Sequence, residues 1–133
     1  VVIHFDNCHR LYVASPGFLY LADPIPSNGS DSNDEIRKCE IPKDGSFVAP
    51  RVTKMKSLNS LERILTATEN GTVILWNSNN LKPLKLYISP SQCFVEELLV
   101  TSNDDRFYIL HCGVRPKLYS QKISAGKIFL VFM

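Results

Sequence analysis

The stretch RILTATENGTVILWN, residues 63–77, decides the fold. Ile64, Thr66 and Thr68 alternate with Leu65 and Ala67, Asn70-Gly71 interrupts the run, and Val73 and Leu75 then alternate with Ile74 and Trp76. A period of two places successive side chains on opposite faces of a strand. Asn-Gly between two such runs tolerates positive φ at both central positions of a tight turn. The stretch therefore predicts a β-hairpin closed by a type I′ turn.

Working outward toward the N-terminus, residues 1–5 form a short β-branched run ended by Asp6-Asn7, and residues 11–15 and 18–22 are strands around Pro16-Gly17. Connections this short leave no room for a crossover helix, so the strands pair antiparallel as a meander. Residues 23–35, DPIPSNGSDSNDE, hold two prolines, a glycine, four acids and three serines. Such a segment buries little and reads as a polar surface loop. Residues 36–41 then return to the sheet, and Lys43-Asp44-Gly45 supplies another turn.

Around the central hairpin, residues 52–56 form a half-buried strand and residues 58–62 a turn. Residues 78–80 turn again, and residues 81–88 make a fourth strand. Pro83 near the start of that strand cannot donate to a ladder and places it at a sheet edge. LLVTSNDDRFYIL, residues 98–110, can be laid on residues 64–76 at a shift of 34, with Asp104-Asp105 under Asn70-Gly71 and Leu110 under Trp76. Residues 11–21 fall on the same hairpin at a shift near 53. The chain is a repeat of three units, 1–48 with its polar loop at 23–35, 49–88, and a degenerate or truncated 89–133.

Four-stranded units with a turn-Gly-Thr-Val-x-x-Trp hairpin resemble WD repeats, the blades of a β-propeller, with the best match over residues 52–88. The resemblance implies an all-β fold of antiparallel four-stranded meander blades. Propellers have ~4 to 8 blades, so about three blades make a partial propeller whose remaining blades lie outside this segment. In the family a third-strand Trp, a second-strand Ser or Thr, a turn Asp and a His from the preceding loop form a stiffening network. Trp76 and Thr66 fit their positions, Asn70 stands where the Asp is expected, and no histidine closely precedes Val52. In the third unit the overlay puts Val100 and Leu110 at the network positions, so that blade relies on packing.

A formal charge of +2 is too small for bulk steering to nucleic acid or membrane, and no apolar stretch reaches the ~18 to 20 residues of a membrane span. Val1 lacks a preceding methionine and the chain closes on apolar residues, which reads as a segment of something longer. Cys8, Cys39, Cys93 and Cys112 contain no close pair, so they are expected to be reduced thiols acting as small core hydrophobes in an intracellular, cytoplasmic or nuclear protein. No metal or cofactor site is expected from this spacing.

His4, His9 and His111 come with no nucleophile signature, and Cys8 and His9, adjacent on a strand, would point to opposite faces. The chain is expected to be non-enzymatic. Asn28-Gly29-Ser30 and Asn70-Gly71-Thr72 match a glycosylation acceptor, but the turn itself accounts for Asn70. Ser30 and Ser32, in the acidic loop with Asp34 and Glu35 downstream, resemble acid-directed phosphorylation sites.

These readings converge on a protein-protein interaction scaffold of WD-repeat blades within a larger propeller or complex. By the resemblance, the end bearing the second-to-third strand turn and the start of the first strand contacts partner proteins. Arg51, Lys54, Glu69 and Asn103 are the candidate contact positions. The alternative is nucleic-acid or chromatin association through the basic middle unit, where Arg51, Lys54, Lys56, Arg63, Lys82 and Lys85 cluster in sequence. Only Tyr87 is near for base stacking. A third reading is a structural blade of a large assembly such as a ciliary complex.

Overall fold

A computed structural model of the chain describes residues 2–6, 10–22, 36–42, 50–58, 62–89, 93–112, 115–123 and 129–132. The polar loop with Ser30 and Ser32 lies outside these residues, as do Cys8, His9 and the Lys43-Asp44-Gly45 turn. All described regular structure is β, in three antiparallel four-stranded sheets of the partial-propeller kind. The first contains β1 (Val2–Phe5), β2 (Leu11–Ser15), β3 (Phe18–Ala22) and β4 (Ile36–Glu40) in sequence order. The second contains β5 (Val52–Ser57), β6 (Arg63–Thr68), β7 (Thr72–Asn77) and β8 (Lys82–Ile88). The third contains β9 (Glu97–Val100), β10 (Arg106–His111), β11 (Lys117–Lys122) and β12 (Phe129–Phe132).

The second sheet is the middle layer. Its Ile64, Ile74 and Trp76 face the first sheet and pack with Tyr12, Leu19, Leu21 and Ile41. Its Leu65, Ala67, Val73, Leu75 and Tyr87 face the third sheet and pack with Leu98, Phe107, Ile109 and Tyr119. Burial on both faces explains why β6 and β7 read as nearly continuous apolar runs with threonines between, while β2, β3 and β10 alternate. At about 1.5–3 kcal/mol for each large apolar side chain buried, this packing outweighs any single hydrogen bond in the stack. The outward face of the first sheet bears Ser15, Lys38 and Glu40 together with one exposed apolar row. A row Phe5, Leu11, Ala22, Ile36 crosses all four strands, with Phe5 and Ile36 both 63% exposed.

The first strands lie beside one another, β1 against β5 and β5 against β9. Polar contacts tie them: His4 Nε2 lies 2.5 Å from Ser57 Oγ, and Thr53 Oγ1 donates to the Val95 carbonyl at 3.1 Å. A histidine thus reaches the second sheet from β1, which no local spacing before Val52 discloses.

Two details of the hairpins differ from the sequence reading. The turn after β6 is not type I′. Gly71 N–H donates to the Thr68 carbonyl at 3.2 Å and Gly71 has φ 80°, whereas Asn70 is not in the positive-φ region. This is a three-residue loop in which a turn through Glu69 and Asn70 is followed by a left-handed glycine. Thr68 Oγ1 stabilises it by accepting the N–H groups of Asn70 at 3.3 Å and Thr72 at 3.2 Å. Leu81, read as the start of a strand, instead sits at φ 53° as the last turn residue and inserts its side chain into the core.

The third unit is out of phase with the overlay at a shift of 34. β9 is the first strand of its sheet and pairs with β10, so residues 98–110 form a first-to-second strand hairpin. Val100 and Leu110 therefore do not occupy the positions of Thr66 and Trp76. A polar turn between two apolar runs looks the same in either hairpin, and only the pairing of β10 with β11 distinguishes them. The first sheet does keep the phase of the second, with β2 and β3 joined through Pro16 and Gly17, the latter at φ 83°.

Candidate functional site

The antiparallel order gives the stack two ends. One carries the start of β5, the turn after β6 and the end of β8. The other carries the loops from β5 to β6, β7 to β8 and β9 to β10.

At the first end Arg51 and Glu69 are held together three ways. Glu69 N–H donates to the Arg51 carbonyl at 2.9 Å, Arg51 N–H donates to Glu69 Oε1 at 3.2 Å, and Arg51 Nε lies 3.6 Å from Glu69 Oε2. Extended backbone before Val52 meets the loop after Thr68, because Val52 and Thr68 are register partners. Both side chains remain well exposed, at 56% and 38%, so the charges face solvent from a fixed backbone. Lys54 follows three residues after Arg51, half-buried, beyond a register shift between Val52 and Lys54.

Asn103 is not at this end. Its loop joins β9 to β10, the first and second strands of their sheet, and so falls at the opposite end. The Asn103 side-chain Oδ1 accepts from Thr101 Oγ1 at 2.8 Å and from the Asp105 N–H at 3.2 Å, building that loop. In the same loop Asp104 N–H donates to the Thr101 carbonyl at 3.0 Å and Asp104 takes φ 58°.

Of the residues read as a blade network, Trp76 Nε1 donates to Thr66 Oγ1 at 2.9 Å, with both residues fully buried. Asn70 is in the turn, its N–H on Thr68 Oγ1. Thr68, not singled out from the sequence, provides the oxygen around which the turn closes. Its identity as a β-branched hydroxyl two residues before Asn70 was the available signal.

Other polar groups join the sheets. Ser89 Oγ lies 2.9 Å from His111 Nε2, and His111 Nδ1 lies 3.1 Å from the Phe94 carbonyl, which can only accept. Nδ1 therefore carries the proton. Ser89 and His111 are both buried, so the pair fastens the end of β8 to β10 and lacks access for a substrate. Asp6, near the other end, accepts Arg10 N–H at 2.9 Å, Arg10 Nε at 2.7 Å and Tyr12 O–H at 3.1 Å. Arg10 also donates to Asn79 of the second sheet at 3.2 Å. Burial pushes the Tyr12 phenol up to about 12 and holds His4 below its usual value. For His4 the nearby Asp6 opposes that shift and Lys56 reinforces it.

Two of the described cysteines, Cys93 and Cys112, are exposed and not core residues, because they flank strands where the chain leaves the sheet, whereas Cys39, half-buried on β4, packs against the core of the first two sheets. Burial raises the Cys39 thiol, with Glu40 adding to it. Among the described residues no group of three or more His, Cys, Asp or Glu side chains is placed to hold a metal ion, and no helix is long and apolar enough to cross a membrane.

The basic residues of the middle unit do not make one stripe. Arg51 faces Glu69, whereas Arg63 and Lys85 border a cleft shared with Asp104 and Asp105. A phosphate backbone would meet acids beside these cations.

No protein-family model matches the chain, and no curated protein sequence matches it. Among solved structures it is similar to Raptor from Chaetomium thermophilum, with a TM-score of 0.65 at 13% sequence identity. The match covers 93% of this chain and 11% of Raptor's, and at that identity the likeness is one of fold.

Proposed function

We propose that the chain is a sector of a WD-repeat-like propeller acting as a non-enzymatic scaffold for protein partners. The observation that carries this reading is the radial stack, in which first strands adjoin and the loops gather at two ends. Such an arrangement displays side chains from rigid strand ends, as binding surfaces require. The fold likeness to Raptor supports the blade architecture. The apolar row from Phe5 to Ile36 fits further sheets stacking on the first, since apolar faces of that kind mark contact surfaces. Arg51, Lys54 and Glu69 form the charged end that meets the partner, and Asn103 belongs to the other end.

Affinity capture of the tagged full chain from cells, with quantitative mass spectrometry, tests the proposal. Replacing Arg51 and Lys54 together by Glu is expected to remove a specific set of proteins while the melting temperature is kept. An unchanged set of partners, or no protein above control, would contradict it.

A further inference from the structure

The loop end of the stack opens into a cavity of about 460 Å³ between the second and third sheets, lined by Arg63, Leu75, Leu84, Lys85, Asp104, Asp105 and Ile123. That volume is within the ~300–1,000 Å³ of ordinary ligand pockets. Its floor is apolar, from Leu75, Leu84 and Ile123. Its charges are segregated by sheet. The second contributes Arg63 and Lys85, and the third contributes Asp104 and Asp105 on the loop fixed by Thr101 and Asn103.

Leu84 reaches this cavity through a defect in the ladder. Lys85 pairs with Leu75 and Pro83 with Trp76, so Leu84 is an extra residue that the regular alternation would have turned elsewhere. Bulges of this kind re-aim a side chain at sheet edges. Leu84 is 45% exposed, and β8 is the last strand of its sheet, with one ladder side turned away from β7. An edge with pockets beside it is the arrangement that takes an extended peptide as an added strand.

We infer that the cleft bounded by Leu84, Arg63 and Asp105 binds an extended segment of a protein partner that carries an apolar side chain between an acidic and a basic residue. The apolar side chain enters over Leu75, Leu84 and Ile123. The acid meets Arg63 and Lys85, and the base meets Asp105. Same-sign peptides place one charge against its like, which selects against them. This site rests on the reading of the chain as a protein scaffold, and it lies at the end opposite Arg51 and Glu69.

The test is fluorescence anisotropy of the full chain with four labelled decapeptides sharing a central Ser-Leu-Ser, which sets the Leu and both flanking residues on one face of an extended strand, flanked by Glu and Lys, by Glu on both sides, by Lys on both sides, or by Ser on both sides. The mixed-charge peptide is expected to bind ~10-fold tighter than each of the other three. Leu84→Asp, at an exposed position, is expected to weaken it ~10-fold without changing the thermal melt. Lys85→Glu is expected to shift preference toward the peptide with Lys on both sides. Equal binding of all four peptides, or binding untouched by Leu84→Asp, overturns the cleft. A free zwitterionic amino acid that competes fully also overturns it, because the strand is then not recognised. Those results leave the capture experiment on Arg51 and Lys54 unaffected, so the two readings fail separately.

Discussion

Trp76 and Thr66 are joined across β6 and β7 by a 2.9 Å hydrogen bond from the indole Nε1 to the threonine Oγ1, with no solvent reaching either residue. A buried indole N–H stripped of its acceptor keeps the full cost of desolvation, about 1–3 kcal/mol. Thr66→Val, similar in shape, is expected to lower unfolding free energy by that amount in urea titrations with an unchanged slope. Thr66→Ser, which keeps the oxygen, is expected to lose about 1 kcal/mol or less. Equal stability for Val and wild type would show that the bond contributes nothing.

The turn after β6 gives a second expectation. Gly71 stands at φ 80°, where a side chain meets the following carbonyl. Gly71→Val is expected to destabilise by about 1–2 kcal/mol, and Gly71→Asn by less, because Asn tolerates the left-handed region. Thermal and urea melts of the two variants, ranked against wild type, check the order.

His4 sets a pH dependence. Burial among β1 and β5 lowers its pKa from the usual 6.5, so the unfolded chain binds the proton more readily than the folded one. The stability it contributes is complete above pH 6.5 and is lost as pH falls through the lowered folded value. His4→Asn is expected to flatten the dependence of unfolding free energy as pH falls below the usual histidine value of 6.5. The comparison uses denaturant titrations of both proteins, which share the same carboxylates. A slope as steep in the variant as in wild type would assign it to other groups.

Much of this fold was legible because the strands are short and their turns explicit. Alternation in residues 11–15 and 18–22, Pro16-Gly17 between them, and Pro83 on an edge strand each carry a local physical signal. Three things had no such signal. The phase of β9 depends on β10 pairing with β11, and Thr101 to Arg106 is as good a turn in either role. The left-handed residue of the main hairpin is Gly71 alone, a choice set by loop length as well as by the Asn-Gly pair. The ties between sheets, His4 to Ser57 and Ser89 to His111, join residues far apart in sequence. Of the candidate contact set, Arg51 and Glu69 were brought together because Val52 and Thr68 share a register. Asn103 was separated from them by the phase of the third sheet.

The middle position of the second sheet predicts a gradient of protection. Amide hydrogen exchange followed by mass spectrometry should find β6 and β7 slowest, since both faces are buried, and β1 and β8 faster at the sheet edges. Uniform exchange across the twelve strands would contradict the layered core.

The central claim, that the Arg51 and Glu69 end is a protein-binding surface, is tested most directly by exchanging the two charges. Arg51→Glu with Glu69→Arg rebuilds the ion pair with reversed polarity, and an exposed pair is worth only about 0–1 kcal/mol. The swap gives up the bond from the backbone N–H of residue 51 to the residue 69 side chain, but that bond is exposed and water replaces it, so the swapped chain should melt close to wild type. In affinity capture with quantitative mass spectrometry it is expected to lose the proteins that wild type retains. Retention of the same partners at the same level would contradict the account.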